Sequence, residues 1–330
     1  MENSVLIDQY GRQISYLRLS VTDRCNLRCY YCMPEEGMNF VPGKELLTFG
    51  EMHDLSALFC SLGISKIRIT GGEPFVRNGI ITFLEGLSGL SGLQEITITT
   101  NGTLPGRYIA RLKDAGIRKL NISIDSLDPQ RFLQITRRDS FRDVYACIFR
   151  LLREGFEVKL NCVVAAGKNT QDIIPFVELT KEHALVVRFL EEMPFNGSSN
   201  FDQFNWTHED IYSFISGRYP ELTRLQAEPN STSVNYRVPG YKGSFGIIPS
   251  FSRTFCGSCN RIRLSATGEL RTCLYGPPAV NLRDVLRSGA SESEIRKVIT
   301  DAVAGRLRDG FEAERQNAKQ IKDSMSMLGG

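Results

Sequence analysis

The chain alternates short apolar runs with amphipathic stretches. Apolar or β-branched runs fall at 14–21, 66–70, 95–100, 119–124, 157–164 and 185–190, each short enough for a strand. Helical patterns lie between them. Thr48 and Glu51 form a capping box ahead of Met52, Leu55, Leu58 and Phe59, whose spacing gives one apolar helix face, and Gly63 stops that helix. Pro105 suits a first helical residue and Gly116 closes the same helix, while 141–154 reads as another helix ended by Gly155. Repeated strand–helix units predict a parallel sheet with helices outside, as in an open barrel or a doubly wound sheet. Unusual residues follow the strand ends: a cysteine loop after the first, Gly71-Gly72-Glu73-Pro74 after the second, Asn101-Gly102 after the third and Asp125 after the fourth. Barrels carry their chemistry at that end of the strands, so the pattern favours a barrel with its site on the top face. The alternation fades after about Pro194. Residues 195–205 read as a loop, and helices are expected near 281–287 and 292–305.

Composition narrows the class. At 330 residues the chain makes one large domain or two ordinary ones, and 42% hydrophobic with 23% charged residues gives a sizeable core. A net charge of +3 is too small to argue for nucleic-acid binding but allows a local anion site. No run of eighteen apolar residues predicts a membrane span, and the start MENSVLIDQYGRQ lacks the apolar core of a signal peptide. A cytoplasmic protein is therefore expected, whose nine cysteines stay reduced, so that clustered ones read as metal ligands or catalysts.

Cys25, Cys29 and Cys32 form C-x3-C-x2-C in a short loop after a strand. Three thiolates in this spacing can wrap three irons of a [4Fe–4S] cube and leave the fourth iron open to a small molecule. Zinc would want a fourth ligand nearby, and the nearest histidine, His53, is far along the chain. Cys256, Cys259 and Cys273 make a second group of three, again with no histidine nearby. It reads as a second three-ligand [4Fe–4S] site, or as a zinc ribbon that borrows a ligand from elsewhere. Arg261 and Arg263 alternate along a strand and so share a face, which suits an anionic substrate such as a polyphosphate beside the metal, or a solvated strand face. Arg18, Arg68 and Lys159 are single basic residues on barrel strands, costly unless they face a cavity and meet an anion, or else rim residues with buried stems. Ser123 shares a face with Asn121 and Asp125. Asp125 could pair with a strand lysine or arginine, or sit near the ribose of a bound ligand. Cys60, Cys147 and Cys162 read as small buried hydrophobes, and His53, His183 and His208 carry no ligand spacing.

An open iron beside a Gly-Gly-Glu-Pro loop resembles the radical S-adenosylmethionine superfamily. There the methionine amino and carboxylate groups chelate the open iron, and electron transfer splits the sulfonium to give a 5′-deoxyadenosyl radical. Gly71 and Gly72 would let backbone groups approach the methionine amine, and Glu73 could accept from an ammonium. The stretches LRLSVTDRCNLRCYYCMP, KIRITGGEP, ITTNG, LNISIDSLD, VKLNCVV, VRFLEEMPF and FCGSCNRIRLSATGELRTCL, in this order, resemble the GTP 3′,8-cyclase family from about Leu6 to the terminal Gly-Gly.

The resemblance implies an α/β fold: an incomplete (βα)6 triose-phosphate-isomerase-type barrel over 1–230, with a C-terminal domain over 231–330 that holds a second [4Fe–4S] cluster. It implies that Tyr31, Gly72, Ser123 and Met193 contact S-adenosylmethionine. Arg18, Arg68, Thr99, Lys159, Arg261 and Arg263 match the GTP-binding set, and Arg261, Arg263, Gly329 and Gly330 match residues needed for catalysis. It further implies hydrogen abstraction from ribose C3′, attack on guanine C8, an electron donor, and cyclic pyranopterin monophosphate synthase as the next enzyme. A homodimer is left open. The competing readings are a radical S-adenosylmethionine peptide maturase with an auxiliary cluster, and a non-catalytic iron–sulfur carrier or zinc adaptor. S-adenosylmethionine cleavage separates the last from both enzymes.

Overall fold

A computed structural model of the chain describes residues 5–33, 38–193, 206–317 and 325. The expected loop at 195–205 and the Gly329-Gly330 end lie outside these residues.

Six strand–helix units form in the order expected. They are β1 (Tyr16–Ser20), α1 (Phe49–Ser61), β2 (Lys66–Thr70), α2 (Ile80–Ser88), β3 (Glu95–Thr100), α3 (Ile109–Asp114), β4 (Lys119–Ser123), α4 (Pro129–Thr136), α5 (Phe141–Arg153), β5 (Glu157–Val164), α6 (Ile173–Glu182) and β6 (Val186–Glu191). Local chemistry sets the boundaries. Thr48 and Glu51 make the reciprocal capping box of α1. Pro105 opens a 3-10 turn, and α3 proper begins four residues later.

β1 to β6 pair in parallel, each with the next. Their side chains alternate between two environments. Leu17, Leu19, Ile67, Ile69, Ile98, Leu120, Ile122, Leu160 and Phe189 point outward and pack under the helices in one continuous core. The residues between them are polar or charged and face inward. Bulky branched side chains ordinarily fill a barrel interior. Here that face is left for a cavity.

The rest of the chain adds α7 (His208–Arg218), β7 (Thr223–Arg224), β8 (Val234–Arg237), β9 (Ser244–Ile248), β10 (Arg261–Leu264), β11 (Glu269–Arg271), β12 (Val280–Asn281), α8 (Leu282–Arg287), α9 (Glu292–Ala304) and α10 (Gly310–Gln316). The sequence reading saw β10 and the two helices near 282–304 but missed α7, α10 and the strands β7 to β9, β11 and β12. These strands extend the sheet at both ends. β9 pairs in parallel with β6, and β10 pairs in parallel with β1. The result is one twelve-stranded sheet running β12-β11-β10-β1-β2-β3-β4-β5-β6-β9-β8-β7, and no pairing among the described residues closes it. Surface contacts hold α8 in place: Arg287 bonds Glu51 at 2.7 Å and donates to the carbonyls of Lys44 and Leu46.

Candidate active site: a basic cavity flanked by two cysteine groups

A cavity of about 510 Å³ lies on the inner face of the sheet. Strand register decides what lines it. Arg18 of β1 stands beside Arg263 of β10 on one side and Arg68 of β2 on the other. One pleat lower, Tyr16 stands between Arg261 and Lys66. Across the sheet, Thr99 pairs with Asn121, Asn121 with Lys159, and Ser123 with Asn161. Every expected site residue that is described lines this one cavity: Arg18, Arg68, Thr99, Lys159, Arg261 and Arg263, then Tyr31, Gly72, Ser123 and Met193, and all six clustered cysteines.

The two cysteine groups sit at opposite ends of β1. Cys25, Cys29 and Cys32 follow its C-terminal end. Cys259 precedes Arg261, which pairs with Tyr16 at its N-terminal end. Asn260 is locked there, its carbonyl accepting from the amides of Ser15 and Tyr16. β11 returns antiparallel beside β10 and brings Cys273 to the same end. Four strand steps of about 3.3 Å separate the two ends of β1, about 13 Å, and the Arg263–Arg18–Arg68 row crosses that interval.

The electrostatics ask for an anion. Burial first, then Arg263 and Arg68, holds the Arg18 guanidinium well below its ordinary pKa. Burial and Arg188 bring Lys159 down to about 8. Burial and Arg68 bring Arg188 down to about 10. No carboxylate pairs with Arg18, Arg68, Lys159 or Arg188 among the described residues, though Glu228 lies further out on the same wall. At the lower rim the lysines are paired instead, Lys119 reaching Glu95 at 2.5 Å and Lys66 the same carboxylate. The Tyr16 hydroxyl, Arg18 Nε, Thr99 Oγ1, Asn161 Oδ1 and Arg188 Nε are buried without a hydrogen-bond partner among the described residues. Each such atom costs about 1–3 kcal/mol if left unmet, so a polar, negatively charged guest fits this wall.

The first cysteine loop is held from two sides. Arg28 and Tyr30 donate their amides to the carbonyls of Thr136 and Ile135 at the end of α4. On the other side Gly71 and Gly72 press against residues 22–24. A Cβ on Gly71 would meet the Thr22 carbonyl at 2.5 Å, and one on Gly72 the Arg24 carbonyl at 2.3 Å. Their missing side chains therefore seat the cysteine loop, a role the sequence reading did not give them. Glu73 also departs from expectation. Its fully buried carboxylate accepts from Phe75 N, Thr100 Oγ1 and Asn101 N, so it pins the loops behind the cavity and presents nothing to an ammonium. Asp125 takes the Tyr31 hydroxyl at 2.6 Å and the Val163 amide at 2.9 Å, rather than a strand cation.

All six clustered cysteines are free and half-buried. Burial pushes the Cys25 thiol up to about 11 with help from Glu73, pushes Cys29 up with help from Cys32 and Asp125, and pushes Cys32 up with help from Cys25 and Asp125. Bare, these thiols hold their protons, and a bound cation would reverse that. Burial also raises Cys256 and Cys273. Burial works on Cys259 too, but the Arg306 and Arg261 guanidiniums outweigh it and hold that thiol below its ordinary value. Among the described residues no three His, Cys, Asp or Glu side chains converge to hold a single ion. Three thiols on one short loop suit a multi-iron cube, in which each sulfur takes a different iron. The three other cysteines are buried in the core, as expected. His208 binds Glu191 through its amide and Nδ1, a local tie.

Arg188 and Arg306 are among the cavity residues that escaped the sequence reading. Arg188 is the one cation of β6, in register with Asn161. Arg306 lies far from any motif, after α9. The alternation of β6 was a usable signal for the first; nothing in the sequence marks the second.

The Radical SAM superfamily model matches residues 19–180, and the Molybdenum Cofactor Synthesis C model matches 185–311. The chain is 44% identical over 303 residues to molybdenum cofactor biosynthesis protein 1 of Dictyostelium discoideum, covering 91% of this chain and 48% of that protein. It is 41% identical over 335 residues to GTP 3′,8-cyclase of Peptoclostridium acidaminophilum, covering 100% of each. The chain thus spans about half the length of the first relative and the full length of the second. Its fold is similar to the crystal structure of Streptococcus suis SuiB bound to S-adenosylmethionine, with a TM-score of 0.56 at 14% identity over 89% of this chain and 69% of that one. No helix among the described residues is long and apolar enough to cross a membrane.

Proposed function

The chain belongs to the GTP 3′,8-cyclase family of radical S-adenosylmethionine proteins, and from that premise we propose that it converts GTP to 3′,8-cyclo-7,8-dihydro-GTP in the first step of molybdenum cofactor biosynthesis. The observation that carries this reading is the basic row of Arg18 and Arg68, met by no carboxylate among the described residues and in register with Arg263, set between two cysteine triads in one cavity. A triphosphate supplies the missing negative charge.

Cys25, Cys29 and Cys32 would hold the [4Fe–4S] cluster that the superfamily implies, and Cys256, Cys259 and Cys273 a second one. With S-adenosylmethionine bound, the cluster on Cys25, Cys29 and Cys32 would supply the electron that releases a 5′-deoxyadenosyl radical, the acceptor for the ribose C3′ hydrogen, and closing C3′ onto guanine C8 would then need one more electron and a proton. The chain's own residues position and shield. Tyr31, Gly72, Ser123 and Met193 line the end of the cavity that S-adenosylmethionine would occupy. Arg18, Arg68, Lys159, Arg261 and Arg263 would grip the phosphates, with Arg188 beside them, and Thr99 would donate to the sugar or phosphate edge. Holding the ribose in one place near the radical source is the main contribution such a site makes. Gly329 and Gly330 are assigned to catalysis by resemblance alone. An external electron donor, a cyclic pyranopterin monophosphate synthase as consumer of the product, and a reducing compartment such as the cytoplasm complete this reading. No observation favours the peptide-maturase alternative, because the likeness to SuiB carries the fold alone.

The test uses anaerobically reconstituted protein, reductant, S-adenosylmethionine and GTP deuterated at C3′. Deuterium in the 5′-deoxyadenosine formed supports the assignment. Cleavage without deuterium keeps the superfamily and rejects GTP C3′ as the site of abstraction.

A further inference from the structure

Arg306 is almost fully buried, 3% exposed, just past the end of α9. Its guanidinium is committed to one cysteine. Nη1 donates to the Cys259 carbonyl at 2.7 Å, and Nη2 approaches the Cys259 sulfur at 2.9 Å. Its other neighbour is Asp8, whose carboxylate lies 3.9 Å from Nη1 and is itself fully buried. Asp8 is fixed in turn by Arg12 Nε at 2.6 Å and by the amides of Tyr10 and Arg12. Arg12 reaches on to the Cys256 carbonyl at 3.0 Å and the Leu307 carbonyl at 2.7 Å. Gln9 closes the set by donating to the Arg306 carbonyl. A short turn near the start of the chain thus grips both Arg306 and the loop that carries Cys256 and Cys259.

We propose that Arg306 is a positioning residue that fixes Cys259 and, through its contact to that sulfur, raises the reduction potential of the cluster held by Cys256, Cys259 and Cys273. This rests on the reading that those three cysteines hold a second [4Fe–4S] cluster. A hydrogen bond from a cation to a ligating sulfur stabilises the electron-rich, reduced cluster more than the oxidised one, so the potential moves up. Charge-assisted bonds are the stronger kind, and burial reduces their screening by water. Arg306 also borders the cavity. Yet each of its terminal nitrogens contacts Cys259, Nη1 lies beside Asp8 as well, and the residue is almost fully buried, so it is assigned to the cysteine and not to a substrate phosphate.

The experiment is a redox titration of the reconstituted full-length protein followed by electron paramagnetic resonance, with iron and sulfide counted in every sample. A variant with Cys25, Cys29 and Cys32 all replaced by alanine isolates the second signal. If that variant holds no cluster, the second-cluster reading itself fails. If it holds one, Arg306→Gln is expected to shift that cluster's potential downward and leave the first cluster's potential where it was. Arg306→Lys, which keeps the charge but loses the fork, is expected to give a smaller shift in the same direction, and it decides the matter if the Gln variant loses its iron. A second-cluster potential unchanged in both variants at full iron content overturns the proposal, as does an equal shift in both clusters.

Discussion

The two cysteine triads face the same cavity from opposite ends of one strand, yet their surroundings have opposite character. Around Cys25, Cys29 and Cys32 stand Glu73, Asp125 and a neutral amide, Asn101 Nδ2, 3.7 Å from the Cys25 sulfur. Around Cys259 stand Arg306 at 2.9 Å and Arg261 at 3.7 Å. Carboxylates thus weigh on the three thiols at one end, and at the other two guanidiniums stand against one of the three, Cys259. A centre that must reduce a sulfonium is served by the first setting, and a centre that must hold a substrate beside an anion site by the second. The difference arises from strand chemistry. The loop after β1 meets the acid-bearing ends of β2 and β4, whereas β10 carries arginines on its cavity face.

The comparison breaks first at the cysteines. Cys25→Ala is expected to abolish 5′-deoxyadenosine formation outright. Cys259→Ala is expected to leave uncoupled cleavage of S-adenosylmethionine while ending GTP conversion, and chromatography of both products separates the two. Next in size is Arg263→Ala. Losing a desolvated guanidinium opposite a phosphate costs about 2–4 kcal/mol, roughly 30- to 1,000-fold in GTP affinity, with uncoupled cleavage intact. Unchanged affinity by calorimetry would remove Arg263 from the phosphate site. Gly72→Ala strikes only the first end. With no room beside the Arg24 carbonyl, the cysteine loop must shift at a cost of about 1–3 kcal/mol, and iron content should fall toward that of a one-cluster protein.

A pH profile sharpens the picture further. Lys159 titrates near 8 in the free protein, and a bound anion would raise that value. GTP affinity should therefore be flat below pH 8 and fall above it, by up to about tenfold per pH unit for one linked proton. Lys159→Met should weaken binding at pH 7 and remove that slope. The smallest effect is expected from Asn101→Ala. A neutral, long N–H···S contact should shift the first cluster's potential less than Arg306→Gln shifts the second, and an equal shift would erase the contrast.

Much of this architecture was legible in the sequence. The six strands were readable because each is a short apolar run between helical patterns, and all but the first of those runs fall within a residue of the observed strands. Of the sixteen described site residues, the six cysteines and the strand cations Arg18, Arg68, Lys159, Arg261 and Arg263 were legible as local patterns, whereas Tyr31, Gly72, Thr99, Ser123 and Met193 rested on the family resemblance. What failed was long-range or depended on contacts. β7 to β9 are short or lie beyond the region of clear alternation, and β9 is a strand because β6 offers it an edge. Glu73 looked like a free acceptor, since nothing in GGEP reveals that Thr100 and Asn101 will claim both oxygens. Arg306 has no motif at all, and only folding brings it to Cys259 across 47 residues.

The pairing of β10 with β1 has a consequence for how the molecule is made. Asn260 and Ser15, bonded at 3.0 Å, are 245 residues apart in the chain. During synthesis at about 5–20 residues per second, β1 and its cysteine loop wait about 10–50 s for the strand that walls them in. Loop-closure entropy over such a span is met only when the late strand docks, so this edge is expected to be among the last to assemble. Until then the first triad is a set of bare thiols beside an open sheet edge. A nascent chain arrested before residue 260 should bind thiol-reactive probes at Cys25, Cys29 and Cys32 far faster than the finished protein does.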